Sequence, residues 1–113
     1  MSGKFAMCGK IQAQPGQGGA LASILLEAAE ACKSAPGCEL YLVNVAAEDP
    51  DAVWVMELWA DEASHAASLR NEKTLGLISK ARPLIAGIEP HRLRPLGGLG
   101  YGGEATKEEP QEL

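Results

Sequence analysis

The stretch Val53-Trp54-Val55-Met56-Glu57-Leu58-Trp59 places six apolar side chains and one acid in seven consecutive positions. Valine- and tryptophan-rich runs of this length belong to strands. A strand that is apolar on both faces does not suit a half-solvated sheet; it predicts a central position with cover above and below. The chain has 113 residues, enough for one domain and not two. Aromatics make up only 4% and much of the apolar fraction is alanine, so the core is thin and help from a second subunit is expected.

The rest of the chain supplies neighbours for this strand. Phe5 to Gln14 alternates, with Phe5, Met7, Gly9, Ile11 and Ala13 on one face, and predicts a strand. Pro15-Gly16 ends it, and Gly18-Gly19 reads as a flexible lead-in. Leu21, Ile24, Leu25, Ala28 and Cys32 then form a helical stripe, closed by Pro36-Gly37. Cys38 to Ala46 predicts a second strand, with Tyr41, Val43 and Val45 on one face and Leu40, Leu42 and Asn44 on the other. A turn over Glu48-Asp49-Pro50-Asp51 would join it to the central strand as an antiparallel hairpin. Asp61 is a good N-cap for a helix to about Asn71. A second helical piece follows from Lys73 to about Leu84, with Leu75, Ile78 and Arg82 along one side. A short edge strand is expected between Pro90 and Pro95. Residues 97–113 are Gly-rich and then acidic, and are expected to form a flexible tail or to drape over a partner chain.

The order strand-helix-strand-strand-helix-strand predicts an α+β, ferredoxin-like βαββαβ domain over residues 1–96. Both helices then cover one face of a four-stranded antiparallel sheet. The other face is also apolar, so a second copy of the chain is its simplest cover, making a homodimer.

Charge and cysteine usage exclude several functions. The formal charge is −5, and the last ten residues carry −3 of it. Without a basic stripe, no nucleic-acid partner is expected. No apolar run approaches the roughly 20 residues of a membrane span, and the N-terminus lacks a signal-peptide pattern. Cys8, Cys32 and Cys38 show no C-x-x-C spacing, and His65 and His91 stand far apart, so no metal site is expected. Free thiols point to a reducing, cytoplasmic setting.

Four residues carry the candidate chemistry. Glu57 interrupts the most apolar strand, Trp59 shares its face, and His65 opens the next helix. Asn44 is the polar residue in the body of the second strand and a cross-strand candidate for the same group. A structural account competes for each: Glu57 pairing with a cation such as Lys10, Trp59 as core, His65 as a satisfied helix histidine. Converging where the central strand turns into a helix, the four carry more weight together.

The segment Trp54-Val55-Met56-Glu57-Leu58-Trp59-Ala60-Asp61-Glu62-Ala63-Ser64-His65 resembles the signature of the antibiotic biosynthesis monooxygenase family: W-x-x-x-E-x-W, a short gap, then a helix opening with A-x-H. Gln14-Pro15-Gly16-Gln17 and Ala35-Pro36-Gly37-Cys38 are similar to that family's as well, over residues 5 to 96 in all. The resemblance implies a dimeric α+β barrel, and small oxygenases that act on anthrones and quinols without metal or flavin. No cofactor is therefore expected. The haem-degrading branch has an Asn on its first strand and a longer Trp-to-His interval. Here that stretch is Ala6-Met7-Cys8-Gly9, which disfavours haem.

Under this reading His65 is the base, since an imidazole's ordinary pKa of ~6.5 lies near working pH. Glu57 orients it or acts as base, and Trp59 stacks on an aromatic substrate or donates its indole N–H to a substrate oxygen. Asn44 would hold a substrate oxygen, and Met7, Leu75 and Ile78 would form apolar wall. The expected activity is a cofactor-independent monooxygenase of quinol-, anthrone- or polyketide-like aromatics. The alternative is a non-catalytic dimeric protein that binds a small apolar ligand; isomerase or decarboxylase chemistry is a third.

Overall fold

A computed structural model describes residues 3–99. Four strands alternate with helices in the expected order: β1 (Phe5–Ala13), α1 (Gly18–Cys32), β2 (Cys38–Ala46), β3 (Asp49–Trp59), α2 (Glu62–Ser68), α3 (Glu72–Ala81) and β4 (Ile85–Leu93). A single 3-10 turn, Arg82–Leu84, links α3 to β4. The sheet is antiparallel throughout and ordered β2-β3-β1-β4. This is the ferredoxin-like α+β arrangement, with β3 in the interior as its composition requires. The described part of the expected tail is confined to Gly97–Leu99; its remainder lies outside the described residues.

Leu21 of α1 and Val53 of β3 are fully buried, packed with Ala13 and Ala81. The alanines have a use here: small side chains let α1 and α3 approach the sheet closely, and Ile11, Ile24, Leu25 and Ile85 fill the space around them. Among the described residues, no helix covers the opposite face of the sheet. Met56 is 41% exposed, Leu42 46% and Leu93 51%, so among the described residues the middle of this face is left open, although Leu58 near the end of β3 is buried.

Three boundaries differ from expectation. The β2–β3 turn comprises residues 47–48, and β3 starts at Asp49 instead of Val53. Asp51 is not a turn residue: its carboxylate accepts from the backbone N–H of Gly16 at 2.9 Å and of Gly18 at 2.8 Å. It thereby caps α1, whose own N-cap Gln17 makes no side-chain cap. Gly18 is correspondingly a close-contact residue within α1, not a flexible lead-in. A Cβ there would run into the Pro50 carbonyl oxygen and lie 2.7 Å from Asp51 Cα.

The third difference is β4, which begins at Ile85 and contains Pro90 in its interior. As an edge strand, it can place the missing N–H on the side away from β1. The helical region after β3 is interrupted as expected. Asn71 starts α3 by accepting from the Lys73 and Thr74 N–H groups.

Candidate functional site

Strand register assembles the site. Glu57 lies opposite Met7 on β1 and Tyr41 on β2, and Trp59 lies opposite Phe5. All these positions face the helices. Asp61 caps α2 by accepting from Ser64 N–H at 2.7 Å, and His65, the next residue, packs against Phe5 and Trp59. The hydrogen bond from the Ser64 N–H holds the Asp61 carboxyl below its ordinary range.

Glu57 Oε1 accepts the Trp59 indole N–H at 2.9 Å. The same oxygen is 3.8 Å from His65 Nε2, an ion-pair contact when the imidazole is protonated and too long for a hydrogen bond. The His65 ring is held instead by aromatics. It stacks on Phe5 with centroids 4.4 Å apart and meets the edge of Trp59 at 5.6 Å. Arg92 Cζ lies 4.6 Å from the Phe5 centroid, and its guanidinium pairs with Glu62 at 3.1 Å. Among the described residues the imidazole nitrogens make no hydrogen bond, so a proton-accepting nitrogen is available.

This cluster forms one end of a cavity of about 470 Å³. Its walls are mainly apolar, from Ile24 and Leu25 of α1, Leu77 and Ile78 of α3, and Ile11 and Ile85 of the sheet. That is the size and character of a small-molecule site. Tyr41 lines the same end, and burial together with the Glu57 charge pushes its hydroxyl pKa up. Beside it, the Cys32 thiol at the end of α1 meets the Cys38 thiol at the start of β2. Burial raises Cys32 to about 12, with Cys38 and Glu57 adding to the shift. Burial likewise raises Cys38, so both thiols stay protonated near neutrality. Among the described residues, no three His, Cys, Asp or Glu side chains are grouped to hold a metal ion. Among the same residues, no helix is long and apolar enough to cross a membrane.

Of the expected site residues, the structure brings Glu57, Trp59, His65 and Ile78 together at the cavity. Met7 shares their face, opposite Glu57, but does not line the cavity. Leu75 is 48% exposed and does not line it. Asn44 does not join the group: it pairs with Trp54 on the open face and donates to the Trp54 and Leu42 carbonyls. Lys10 is on that face too, opposite Trp54, so it is not the partner of Glu57. The indole N–H expected to reach a substrate is engaged by Glu57. Sequence reasoning missed Phe5, Tyr41 and Arg92. The signal for Phe5 and Tyr41 was their strand alternation; nothing local marked Arg92.

Comparison with known proteins agrees with this architecture. The model of the family described as antibiotic biosynthesis monooxygenase matches residues 5–75. A candidate antibiotic biosynthesis monooxygenase from Chloroflexus aurantiacus is 43% identical and superposes with a TM-score of 0.80, over 88% of this chain and 99% of that one. The protein PA3566 from Pseudomonas aeruginosa, 23% identical, superposes at 0.78 over 85% and 97%. A candidate family member from Caulobacter crescentus, 19% identical, gives 0.75 over 81% and 89%. The last two show a shared fold alone. None of the curated proteins matches the chain.

Proposed function

The chain belongs to the antibiotic biosynthesis monooxygenase family, and on that premise we propose that it oxygenates an electron-rich phenolic, anthrone- or dihydroquinone-like aromatic with O₂, the substrate itself supplying the electrons. The observation that carries this reading is an imidazole without a hydrogen-bond partner among the described residues, seated between a carboxylate and two aromatic rings at the end of a mainly apolar cavity. His65 takes the proton of the substrate and becomes imidazolium. Glu57, 3.8 Å away, offsets that charge. Trp59 acts as a positioning residue, because its indole N–H holds the carboxylate that faces His65.

The resulting carbanion or phenolate passes one electron to O₂, the radical pair combines at the activated carbon as a peroxide anion, and the His65 imidazolium returns its proton to give the hydroperoxide. Loss of water then leaves a carbonyl. For an anthrone-like methylene, CH₂ and O₂ become C=O and H₂O, so one oxygen atom enters product and one leaves as water. The apolar walls exclude bulk water from this sequence.

The active unit in this proposal is a homodimer whose two open sheet faces pack together as an α+β barrel. The exposed Leu40, Leu42 and Met56 supply the apolar surface for it.

Oxygen uptake with an anthrone and a dihydroquinone panel tests the activity. Uptake above the buffer rate is expected, falling about 10²-fold or more in His65→Ala. Uptake at the buffer rate throughout would remove the enzymatic reading. If a Glu57→Gln, His65→Gln double variant binds the same aromatics as tightly and neither form turns them over, the protein is a ligand-binding module instead.

A further inference from the structure

The end of the cavity remote from His65 carries a charge that the proposed chemistry does not use. Arg82, in the 3-10 turn after α3, is the one Lys or Arg among the lining residues described. Its guanidinium makes no ion pair or hydrogen bond among the described residues. Arg82 is itself exposed to solvent, so this end of the cavity is open at the guanidinium. The walls between the two ends are apolar.

Register sets their separation. Glu57 is level with Met7 of β1, whereas Ile85, three residues beyond Arg82, is level with Ala13. Six strand residues at ~3.3 Å each put the two levels roughly 20 Å apart along the strand. The side chains shorten that span from both ends.

We propose that the ligand of this cavity is an elongated aromatic carboxylate, its anionic end paired with Arg82 at the mouth and its oxidisable ring at Glu57 and His65. The orientation of the ring rests on reading the His65 end as the reacting end. A guanidinium presents a planar fork that suits a carboxylate. A single cation in apolar surroundings matches a monoanion better than a phosphate dianion, which would call for more donors than the cavity offers. The acidic residue at the far end repels the carboxylate, so one orientation is favoured over its reverse. Arg82 is in this account a specificity-determining residue, not a catalytic one.

Equilibrium binding to the full chain tests the assignment, by calorimetry with 4′-hydroxybiphenyl-4-carboxylic acid and its methyl ester. The acid is expected to bind the unsubstituted protein about fivefold more tightly than the ester, the scale of a partly solvated ion pair. The preference should fall to about one in Arg82→Gln, persist in part in Arg82→Lys, and weaken with added salt. The ester should bind all three forms alike, which also reports an intact cavity. An acid that binds no more tightly than its ester, or not at all, overturns the proposal, as does a preference that survives Arg82→Gln. Because binding needs no turnover, a preference that depends on Arg82 without oxygen uptake would leave this assignment standing and remove the oxygenase reading.

Discussion

At the scale of single residues, the site depends on groups that hold one another. Trp59 is 1% exposed and spends its indole N–H on Glu57. Trp59→Phe keeps a ring in the wall but leaves a void and removes that donor, so urea unfolding should show a loss of about 2 kcal/mol. Phe5, 5% exposed, is the stacking floor for His65. Phe5→Ala should cost about 3–4 kcal/mol, and the His65 ring protons should lose their ring-current shift in NMR spectra. The acid, the tryptophan and the histidine were legible because seven-residue alternation and one N-cap place them locally. Asn44 was misplaced for a physical reason: the two faces of β2 are distinguished only by register, which the hairpin turn sets. A turn at residues 47–48 pairs Tyr41, not Asn44, with Glu57. Leu75 likewise fits one helical stripe with Ile78 and Arg82 on paper, but the packed side of α3 runs through Leu77 and Ala81, which leaves Leu75 off the cavity wall.

At the scale of elements, close approaches decide what the chain tolerates. Gly18→Ala raises helix propensity by up to ~1 kcal/mol. The added Cβ, however, meets Pro50 and Asp51 backbone, which cannot give way as a flexible side chain would. A net destabilisation of about 1–3 kcal/mol is expected from denaturant midpoints. Gly37, at φ +85°, plays the matching part at the α1–β2 corner, where a Cβ would run into Ser64 of α2. The same corner holds Cys32, raised by burial from 9.0 to about 12. Above pH 9 the unfolded chain gives up this proton while the fold retains it. The native state then binds more protons, and stability falls as pH rises from about 9 toward 12. Tyr41 acts in the same direction from its ordinary value of 10.0. Denaturant midpoints between pH 8 and 10.5 check the sign, and Cys32→Ser should flatten the decline. The extent of β4 escaped the sequence reading because Pro90 read as a boundary of the strand, although an edge strand can accommodate it.

At the scale of the whole molecule, one sheet face is covered by helices, and among the described residues the other exposes Leu42, Met56 and Leu93. The proposed second copy makes a definite prediction. Light scattering on the eluted protein should give twice the chain mass of 11.8 kDa. Leu42→Glu with Met56→Glu should return the mass of one chain while keeping the helical circular dichroism. These side chains lie opposite one another across β2 and β3, so the charges would face the interface together. The central strand from which the architecture was inferred thus has two distinct roles: its Glu57 face makes the site and its Met56 face the proposed dimer. The claim that joins them is oxygenation by a substrate that provides its own electrons. A turnover under ¹⁸O₂ with an anthrone, the product analysed by mass spectrometry, tests it most directly. One ¹⁸O atom per product carbonyl, formed without added reductant and lost in His65→Ala, is the predicted result. Product that carries no ¹⁸O, or that forms equally well without oxygen, would contradict it.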